Sequence, residues 1–596
     1  MAAAGKTKHA MTNWYNPVVL VKTAIRVAIS TVFGEFADRR EAIAAANAIA
    51  PQPFDESFDY SSTKGDFWFD FLADTGDGWN STYAMARLAS QPEIQLPNTP
   101  VLPRGRFLML GGDEVYPFAS RKAYDERFLA PFDQAQQAVG LATGQQALFA
   151  LPGNHDWYDG LSSFFGLFCR RRMIPEGGLG FSRPGRIIAG RATNQTRSYF
   201  ALKLPANWWI WGTDSQLEGY IDQPQIDFFQ HAAREWMEPG SKLILCVDGP
   251  RWFYAEPDNP EAEFENFSYL ERLAGAATDA TGKSMGHELK LVLTGDSHHY
   301  SRFIEEDRQY ITCGGGGAFL HPTHHLRDHS FAWRYPPPGT AYDPSLSYRR
   351  DFSLARKRSG AEALFPDRVR SRLLTFWNLL FAFINWRFTA TLAGVYTLFQ
   401  WLLDFNSWLA LHVPLGNALS AGTFADALRT YWKLAIISPA AFIMLLVGFA
   451  GYYYAADAQT WWRRLLMGGL HAVAQAAVVS AAVCWVMRLL PNSGSLVQII
   501  TAGVVAAFFS ATTYGIYLLI SLLGSSVFGG RLHWNEAFSS FAHRGYKCFL
   551  RMKIATNGEL TIYPVGLTRV PFDRRKTPRN PKLEPHLIED PLTIAP

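Results

Sequence analysis

Eight polar side chains stand at or just beyond the ends of five short apolar runs, and their types suit metal chemistry. They are Asp74, Asp113, Tyr116, Asn154, His155, Asp248, Asp296 and His298. Any one of them alone would indicate little, because Asp, Asn and their Gly neighbours are also common in turns. Together they include four carboxylates, which would repel one another in a shared crevice. Because bound cations would hold such groups together, the set predicts a metal site.

The apolar runs are typical of buried strands that position these side chains. They are FWFDFLAD, RFLMLGGD, ALFALPGN, KLILCVDG and LKLVLTGD, and each ends in Gly, Asp or Asn. Helical patterns such as YAMARLAS and DFFQHAAREW lie between some of them. In an open α/β sheet, ligands bind in the crevice at the carboxyl ends of the strands. We therefore expect residues up to about 360 to form an α/β domain with the metal site at this edge.

The order of the motifs resembles that of a known family. Asp-x-Gly at Asp74, Gly-Asp-x-x-Tyr at Asp113 and Gly-Asn-His-Asp at Asn154 are similar to motifs of the calcineurin-like metallophosphoesterases. An acidic residue before x-Pro at Asp248 and Gly-x-x-His at His298 follow in the same order. The first two motifs and the ending GDSHHYSR are closest to the purple acid phosphatase branch. The resemblance covers roughly residues 67–319 and implies a two-sheet α/β sandwich flanked by helices.

The resemblance also implies a role for each residue. A first divalent metal ion would be held by Asp74, Asp113, Tyr116 and His298, and a second by Asp113, Asn154, Asp248 and Asp296. Asp113 would bridge the two ions. His155 would lie near the leaving group and assist its departure, and Asp156 would orient His155. His155 and Asp156 are thus the expected catalytic side chains.

Two positions depart from the family pattern, because Asp248 and Asp296 stand where the family has His. The second site would then contain only oxygen ligands, which favour Mn or Mg, whereas Fe or Zn would also suit the first site. The resemblance implies hydrolysis of a phosphomonoester or phosphodiester by attack of a metal-bridging hydroxide. The alternative is a catalytically impaired, metal-binding sensor domain that regulates a membrane partner.

Other polar residues near these motifs allow two interpretations each. Arg302 either binds a phosphate group or forms a structural ion pair. The histidines of HPTHH, which are His321, His324 and His325, either face the site or belong to a loop without metal. CGGGGAF lacks the Gly-Lys-Ser/Thr ending of a P-loop and is expected to form a turn beside the site.

Composition narrows the class of protein. The 596 residues carry a net charge of +4, and no nucleic-acid-binding motif is present, so nucleic acid is not an expected partner. The five cysteines are widely spaced and odd in number, which argues against a disulfide framework and favours a reducing compartment. No signal peptide is evident, because Lys22 and Arg26 interrupt the first apolar segment.

The C-terminal half predicts a membrane region. Residues 434–454, 465–487 and 496–523 are each long and apolar enough to span a bilayer, and residues 373–403 are apolar but contain Arg387. That last segment forms either one tilted span or a surface helix followed by a short span. Positive charges flank the spans at Arg356, Lys357, Arg358, Arg368, Arg370, Arg372, Arg463 and Arg464. With about four spans, this bias predicts a multi-pass protein of the inner or plasma membrane whose catalytic domain faces the cytoplasm. A lipid-linked phosphoester is then an attractive substrate, although a soluble one stays open.

The predicted organisation has four parts. Residues 1–50 form amphipathic helices, 51–360 the catalytic domain, 361–530 the transmembrane region, and 531–596 a β hairpin with a disordered tail. The first helix covers PVVLVKTAIRVAISTVF and either lies on the membrane surface or packs on its own domain. The hairpin is indicated by an Asn-Gly turn within YKCFLRMKIATNGELTIYPVGL.

Overall fold

The computed structural model describes residues 8–36, 40, 54–144, 146–171, 185–215, 220–338, 340, 342–458, 460–528, 530–571 and 582–596. It divides the chain into two units. The first comprises Met1–Thr12, Lys22–Arg368 and His543–Pro596, and the second comprises Asn13–Val21 and Val369–Ala542. The parts of the predicted N-terminal helices at residues 37–39 and 41–50 lie outside the described residues.

The strands of the described residues lie in the first unit. They are β1 (Phe67–Leu72), β2 (Glu93–Ile94), β3 (Leu102–Pro103), β4 (Phe107–Gly111), β5 (Gln146–Leu151), β6 (Ile187–Ile188), β7 (Arg191–Thr193), β8 (Phe200–Lys203), β9 (Trp208–Gly212), β10 (Lys242–Val247), β11 (Glu288–Thr294), β12 (Tyr300–Glu305), β13 (Arg308–Cys313), β14 (His329–Trp333), β15 (Tyr348–Leu354), β16 (Leu364–Phe365), β17 (Lys547–Ile554), β18 (Leu560–Leu567), β19 (His586–Leu587) and β20 (Leu592–Ile594). The five predicted strands correspond to β1, β4, β5, β10 and β11.

Helices connect these strands, and a first helix, α1 (Pro17–Phe36), precedes them. The others are α2 (Trp79–Ser90), α3 (Arg121–Ala123), α4 (Ala130–Val139), α5 (Asn154–Trp157), α6 (Ser162–Phe168), α7 (Gln223–His231), α8 (Arg251–Tyr254) and α9 (Glu261–Gly275). Short 3₁₀ segments cover Glu56–Phe58 and Pro205–Asn207, and π-helical segments cover Tyr124–Leu129 and Ala232–Trp236. The first unit is thus mixed α/β.

The strands form two large mixed sheets and one small pair. The first sheet has the order β19-β18-β17-β1-β4-β5-β7-β6, with β20 beside β18. The second has the order β14-β15-β12-β13-β11-β10-β9-β8, with β16 beside β12, and β2 pairs with β3. Strands β1, β4 and β5 are parallel neighbours in the first sheet, and β9, β10 and β11 are parallel neighbours in the second. The carboxyl ends of neighbouring parallel strands therefore lie side by side in each sheet.

Alternation along the strands places side chains on opposite faces of each sheet. In β1, Phe67, Phe69 and Phe71 join a buried cluster that also contains residues of the second sheet, such as Ile244 and Leu291. A second cluster packs the other face of the first sheet against α2, and a third packs the second sheet against α9. Burial of these apolar clusters is the main favourable contribution to folding of the unit.

The C-terminal hairpin belongs to the first sheet. Strands β17 and β18 pair around Asn557–Gly558, as the Asn-Gly turn predicts, and β17 pairs antiparallel with β1. The expected disordered tail differs from the structure, because β19 and β20 each pair with β18. Residues 572–581 of the tail lie outside the described residues.

The second unit is helical. Its helices are α10 (Arg368–Thr375), α11 (Phe381–Ile384), α12 (Trp386–Leu411), α13 (Leu415–Ser420), α14 (Phe424–Ile437), α15 (Pro439–Ala455), α16 (Trp461–Leu489), α17 (Ser495–Phe528) and α18 (Trp534–Ser539), with a 3₁₀ segment at Phe376–Leu380. Helix α17 packs along α12 and α16. The boundary at Arg368 assigns the start of α10 to the first unit and its remainder to the second.

Two helices, Trp461–Leu489 and Ser495–Val527, are long and apolar enough to cross a membrane. Two bent pairs also qualify together: Arg368–Ile384 with Trp386–Leu411, bent by 50°, and Phe424–Ile437 with Pro439–Ala455, bent by 95°. The described residues therefore offer two spans, or up to four if each bent pair is one span.

The bends alter two of the predicted spans. The predicted span at residues 434–454 is broken at Pro439, which has no N–H to continue α14, and the Ser438 side chain accepts a hydrogen bond from Ala441 N to begin α15. The predicted segment at 373–403 is broken at Asn385, so that Arg387 lies in the first turn of α12 rather than in the middle of a span. A charge at a helix end is less costly in a bilayer than one at its centre.

Candidate metal centre

The predicted ligands follow strands that are neighbours in their sheets. Asp74, Asp113 and Asn154 come after β1, β4 and β5, which are parallel and adjacent. Asp248 and Asp296 come after β10 and β11, which are parallel and adjacent in the second sheet. The polar residues are thus placed at shared strand edges, as the sequence indicates.

Three of these aspartates have left-handed backbone conformations. The φ angles are 58° at Asp74, 52° at Asp113 and 64° at Asp296. A positive φ is uncommon for residues other than glycine, although Asp tolerates it better than most. Such conformations cluster at functional sites, and here each one occurs directly after a strand of the site.

The Tyr116 hydroxyl lies in contact with the other three residues of the first predicted ligand group. It lies 2.9 Å from Asp74 Oδ1, 3.0 Å from Asp113 Oδ2 and 2.9 Å from His298 Nε2. His298 Nε2 is 3.7 Å from Asp74 Oδ1, which also accepts a hydrogen bond from the Asp296 N–H at 3.1 Å. The structure therefore brings Asp74, Asp113, Tyr116 and His298 together around one point.

His298 is held with Nε2 towards this point. Its Nδ1 lies 2.8 Å from the carbonyl oxygen of Phe319, which can only accept, so Nδ1 carries the proton and donates it. Burial lowers the pKa of His298 well below its usual value, which favours the neutral ring with a lone pair on Nε2. The ring stacks on that of His321, with 3.8 Å between the ring centroids, and the backbone N–H of His298 donates to His321 Nδ1. The HPTHH segment therefore supports the site through His321.

A cavity of about 170 Å³ contains the second predicted group. Its lining residues are Gly112, Asp113, Gly153, Asn154, Asp248, Arg251, Tyr254, Glu263 and Asp296. All four predicted oxygen ligands of the second ion line this cavity. Asp113 belongs to both groups, as expected for a residue between two ions.

Three lining residues were missed by sequence reasoning as members of the site. Arg251 donates to Asp248 Oδ2 at 2.5 Å and to Glu263 Oε2 at 2.7 Å. Tyr254 donates to Asp296 Oδ2 at 2.5 Å. Arg251 and Tyr254 lie on α8, and Glu263 lies on α9. Arg251 follows Asp248 by three residues, a local spacing that could have indicated this pair, whereas Tyr254 contacts an aspartate 42 residues away.

Burial concentrates negative charge at the centre. Burial raises the pKa of Asp74 well above its usual value, and the charges of Asp113 and Asp296 raise it further. Burial likewise raises the pKa of Asp113, with added effects from Asp156 and Asp296. The carboxylates are therefore costly to ionise together unless positive charge is supplied.

Several buried oxygens of the predicted ligands have no hydrogen-bond partner among the described residues. They are Asp74 Oδ2, Asn154 Oδ1 and Asp248 Oδ1. An unsatisfied buried acceptor costs free energy, so each of these atoms requires an explanation. Together with the crowded carboxylates, they form a donor set that fits hard divalent cations.

Glycines allow the ligand carboxylates to approach the backbone. A Cβ atom on Gly153 would lie 2.2 Å from Asp113 Oδ1, and one on Gly314 would lie 2.4 Å from Asp74 Oδ2. Both distances are too short for any side chain. Gly314 comes from the segment CGGGGAF, which follows β13 and bends at residues 316–318.

The two expected catalytic residues have different surroundings. His155 Nδ1 donates to the Pro117 carbonyl oxygen at 2.8 Å, and burial lowers the pKa of His155 to about 4. Asp156 accepts hydrogen bonds from the Gly153 and Glu114 N–H groups and from the Tyr124 hydroxyl. These described bonds of Asp156 join the loops that carry Asp113 and Asn154, and the Pro117 carbonyl orients the imidazole.

Arg302 lies in a structural ion pair. Its Nε and Nη2 donate to the Glu589 carboxylate at 2.9 Å and 2.8 Å, and both side chains are buried. Of its two predicted roles, the structure therefore shows the ion pair.

Comparisons with known proteins add little to this geometry. No family model matches the chain, and no curated protein matches it. One similar solved structure is titled "GAP50 the anchor in the inner membrane complex of Plasmodium", with 12% identity and a TM-score of 0.29, covering 51% of this chain and 85% of that one. Another is titled "Structure of PhoD", with 8% identity and a TM-score of 0.27, covering 44% of this chain and 59% of that one. Similarity this low does not establish a family, so the proposals below rest on the residues.

Proposed function

We propose that the chain is a membrane-anchored phosphoesterase that uses two divalent metal ions. The residues that would hold the ions are Asp74, Asp113, Tyr116, Asn154, Asp248, Asp296 and His298. The observation that carries the proposal is the clustering of these side chains, in which Asp74, Asn154 and Asp248 each have a buried oxygen without a hydrogen-bond partner among the described residues. The motif order that resembles the calcineurin-like metallophosphoesterases supports a two-sheet sandwich as the scaffold.

Divalent cations in this centre would polarise a phosphoryl group and lower the pKa of a water molecule. The oxygen-only group at Asp113, Asn154, Asp248 and Asp296 favours Mn or Mg, and the group containing His298 would also suit Fe or Zn. The hydrogen bonds of Tyr116 and the Phe319 carbonyl hold the first group in place. Those of Arg251 and Tyr254 hold the carboxylates of the second.

Arg251 is the residue best placed to bind the phosphate of a substrate. It lines the cavity with the ligand carboxylates, and two carboxylates orient its guanidinium group. Guanidinium groups pair with phosphate oxygens in a bidentate manner. Arg251 would therefore position the phosphoester at the ligand edge of the cavity.

His155 would act on the leaving group only when substrate is bound. With a pKa of about 4, its ring is neutral at pH 7, and the proton then sits on Nδ1, which donates to Pro117. A phosphate anion next to the ring would raise this pKa, because an opposite charge favours the imidazolium. The doubly protonated ring could then donate a proton from Nε2.

The proposal also includes contact with a lipid bilayer and a catalytic domain that faces the cytoplasm. In α1, Val18, Val21 and Ile25 are 59%, 59% and 55% exposed, whereas Arg26 stacks on Phe118 at 4.4 Å. An exposed apolar helix face in a chain with candidate spans suits the surface of a bilayer. The distribution of basic residues supports a catalytic domain that faces the cytoplasm, where a lipid-linked phosphoester would be accessible.

An activity assay with a matched variant tests the proposal. Purified chain with added Mn²⁺ should hydrolyse p-nitrophenyl phosphate or bis(p-nitrophenyl) phosphate, and a chelator should abolish the activity. Asp113→Asn should lower the rate by at least about 100-fold, because it weakens both ion sites. Asp227→Asn, which alters an exposed aspartate of α7, should leave the rate of hydrolysis unchanged.

The same assay separates the enzyme from the sensor alternative. Tight binding of Mn²⁺ without turnover of either substrate would refute the phosphoesterase and favour a metal-binding sensor. Turnover that survives Asp113→Asn would refute the assignment of the site.

A further inference from the structure

A second group of metal-ligating side chains lies in the helical unit, away from the centre described above. Asp457 is in the loop between α15 and α16, whereas His533 and Glu536 follow α17. One ligand atom from each residue lies within 4.8 Å of the other two. The fold thus brings together ligands from two segments that are distant in sequence.

His533 points an unpartnered nitrogen into this group. The side chain is 1% exposed, and its Nδ1 has no hydrogen-bond partner among the described residues. Nδ1 lies 3.9 Å from Glu536 Oε2, which is too long for a hydrogen bond. This distance between the buried nitrogen and the Glu536 carboxylate oxygen leaves room for an ion between the two atoms.

The other ring nitrogen of His533 is already engaged. Nε2 lies 3.0 Å from the Tyr517 hydroxyl, within the same unit. If Nε2 carries the proton and donates it to that oxygen, Nδ1 presents a lone pair towards the Glu536 carboxylate. Metal-binding histidines commonly have this arrangement, in which the second nitrogen donates to a fixed acceptor.

A hydrogen bond from the backbone also joins the two segments that carry these ligands. Asp457 Oδ2 accepts a hydrogen bond from the backbone N–H of His533 at 2.7 Å, which holds the loop close to the histidine.

We propose that Asp457, His533 and Glu536 bind one divalent transition-metal ion that ties the α15–α16 loop to the segment after α17. One imidazole and two carboxylates suit Zn²⁺, with water as a fourth ligand. The ion would be structural, because it connects two segments at one end of the helices. This proposal does not depend on the phosphoesterase activity.

Zinc stoichiometry tests the site directly. The full chain in detergent is stripped with chelator, dialysed against buffered Zn²⁺ and analysed for metal per chain. We expect His533→Ala to bind one Zn²⁺ fewer than the unaltered chain. His412→Ala is the matched control, because His412 also has a positive φ, 57° against 53° for His533, but is not in the cluster. Equal zinc content in all three proteins would overturn the proposal.

Two milder variants keep the test informative if His533→Ala does not fold. Glu536→Gln removes one anionic ligand whose side chain is 42% exposed, and it should weaken Zn²⁺ binding at least about tenfold. Tyr517→Phe removes the acceptor of Nε2–H and should weaken binding by roughly 10–100-fold. If the cluster is only an ion pair between an imidazole and carboxylates, neither variant will change saturable Zn²⁺ binding. That result would also overturn the proposal.

Discussion

The buried side chain of Lys547, near the candidate metal centre, should make the stability of the protein depend on pH. This side chain is fully buried, and Nζ donates to the Ala318 carbonyl oxygen at 2.6 Å. Burial lowers the pKa of Lys547 to about 8, whereas a lysine in the unfolded chain titrates near 10.4. Between these values the unfolded state binds more protons than the folded state, so stability should rise with pH.

We predict that this rise depends on Lys547. From pH 8 to about pH 10.4, the free energy of unfolding of the unaltered chain should increase by up to ~3 kcal/mol relative to that of Lys547→Met. Denaturant unfolding at several pH values, with chelator present, measures the difference. Lys553→Met serves as the control, because Lys553 is partly exposed and pairs with Asp66. A difference that stays constant with pH would show that Lys547 is not deprotonated in this range.

At the residue scale, the ligand types were predictable from sequence and their partners were not. Each aspartate of the site follows an apolar strand, so its type and spacing are visible in the chain. Glu263 becomes a neighbour of Arg251 only when α8 and α9 fold together, and Tyr254 reaches Asp296 only when α8 folds beside the end of β11. The orientation of His155 by Asp156 stays a prediction, and the described bonds of Asp156 to Gly153, Glu114 and Tyr124 fix the loops around it.

At the scale of elements, the pairing of β17 with β1 joins the two ends of the first unit. Asp70 and Arg551 are directly opposite in this pair, and Arg551 Nε donates to Asp70 Oδ1 at 2.8 Å. Both side chains are buried. Removing one partner of a buried ion pair leaves an uncompensated charge, which is far more costly than losing a surface pair.

Arg551→Met should therefore destabilise the first unit, which carries the candidate metal centre. We expect a loss of about 3–5 kcal/mol in the free energy of unfolding, measured by denaturation in detergent. The double variant Arg551→Met with Asp70→Leu should recover part of the loss, since no charge is then buried alone. Arg349→Met, which breaks an exposed pair on β15, should have little effect. Equal effects of the two single variants would contradict this role of the β1–β17 pair.

The sequence predicted the strands but not all of their neighbours. The Asn-Gly turn and alternating pattern indicate the hairpin, because both are local signals. Its pairing with β1, some 480 residues earlier in the chain, depends on long-range packing that no local pattern encodes. The break at Pro439 was also missed, because a hydropathy window averages over one proline and sees only apolar residues.

At the scale of the whole molecule, the long apolar helices are the feature that bears on location. Two candidate spans, or up to four with the bent pairs, are present among the described residues. The exposed apolar side of α1 then predicts a contact with the bilayer surface rather than with water.

A spin-label measurement tests this contact. In a Cys169→Ser background, Ile25→Cys labelled with a nitroxide should be accessible to oxygen in reconstituted vesicles, as expected for a lipid-facing site. Asp227→Cys on the exposed side of α7 should be accessible to a water-soluble relaxation agent instead. If the label at position 25 behaves like the label at position 227, then α1 does not lie in the bilayer surface.

The most direct test of the metal centre is electron paramagnetic resonance of the purified chain loaded with Mn²⁺. Two ions bridged by Asp113 would lie about 3.5–4 Å apart and give an exchange-coupled spectrum, distinct from the six-line signal of an isolated ion. We predict a coupled spectrum for the unaltered chain and for Asp227→Ala, and its loss in Asp113→Ala. A spectrum of isolated ions only, or a coupled signal that survives Asp113→Ala, would contradict the account.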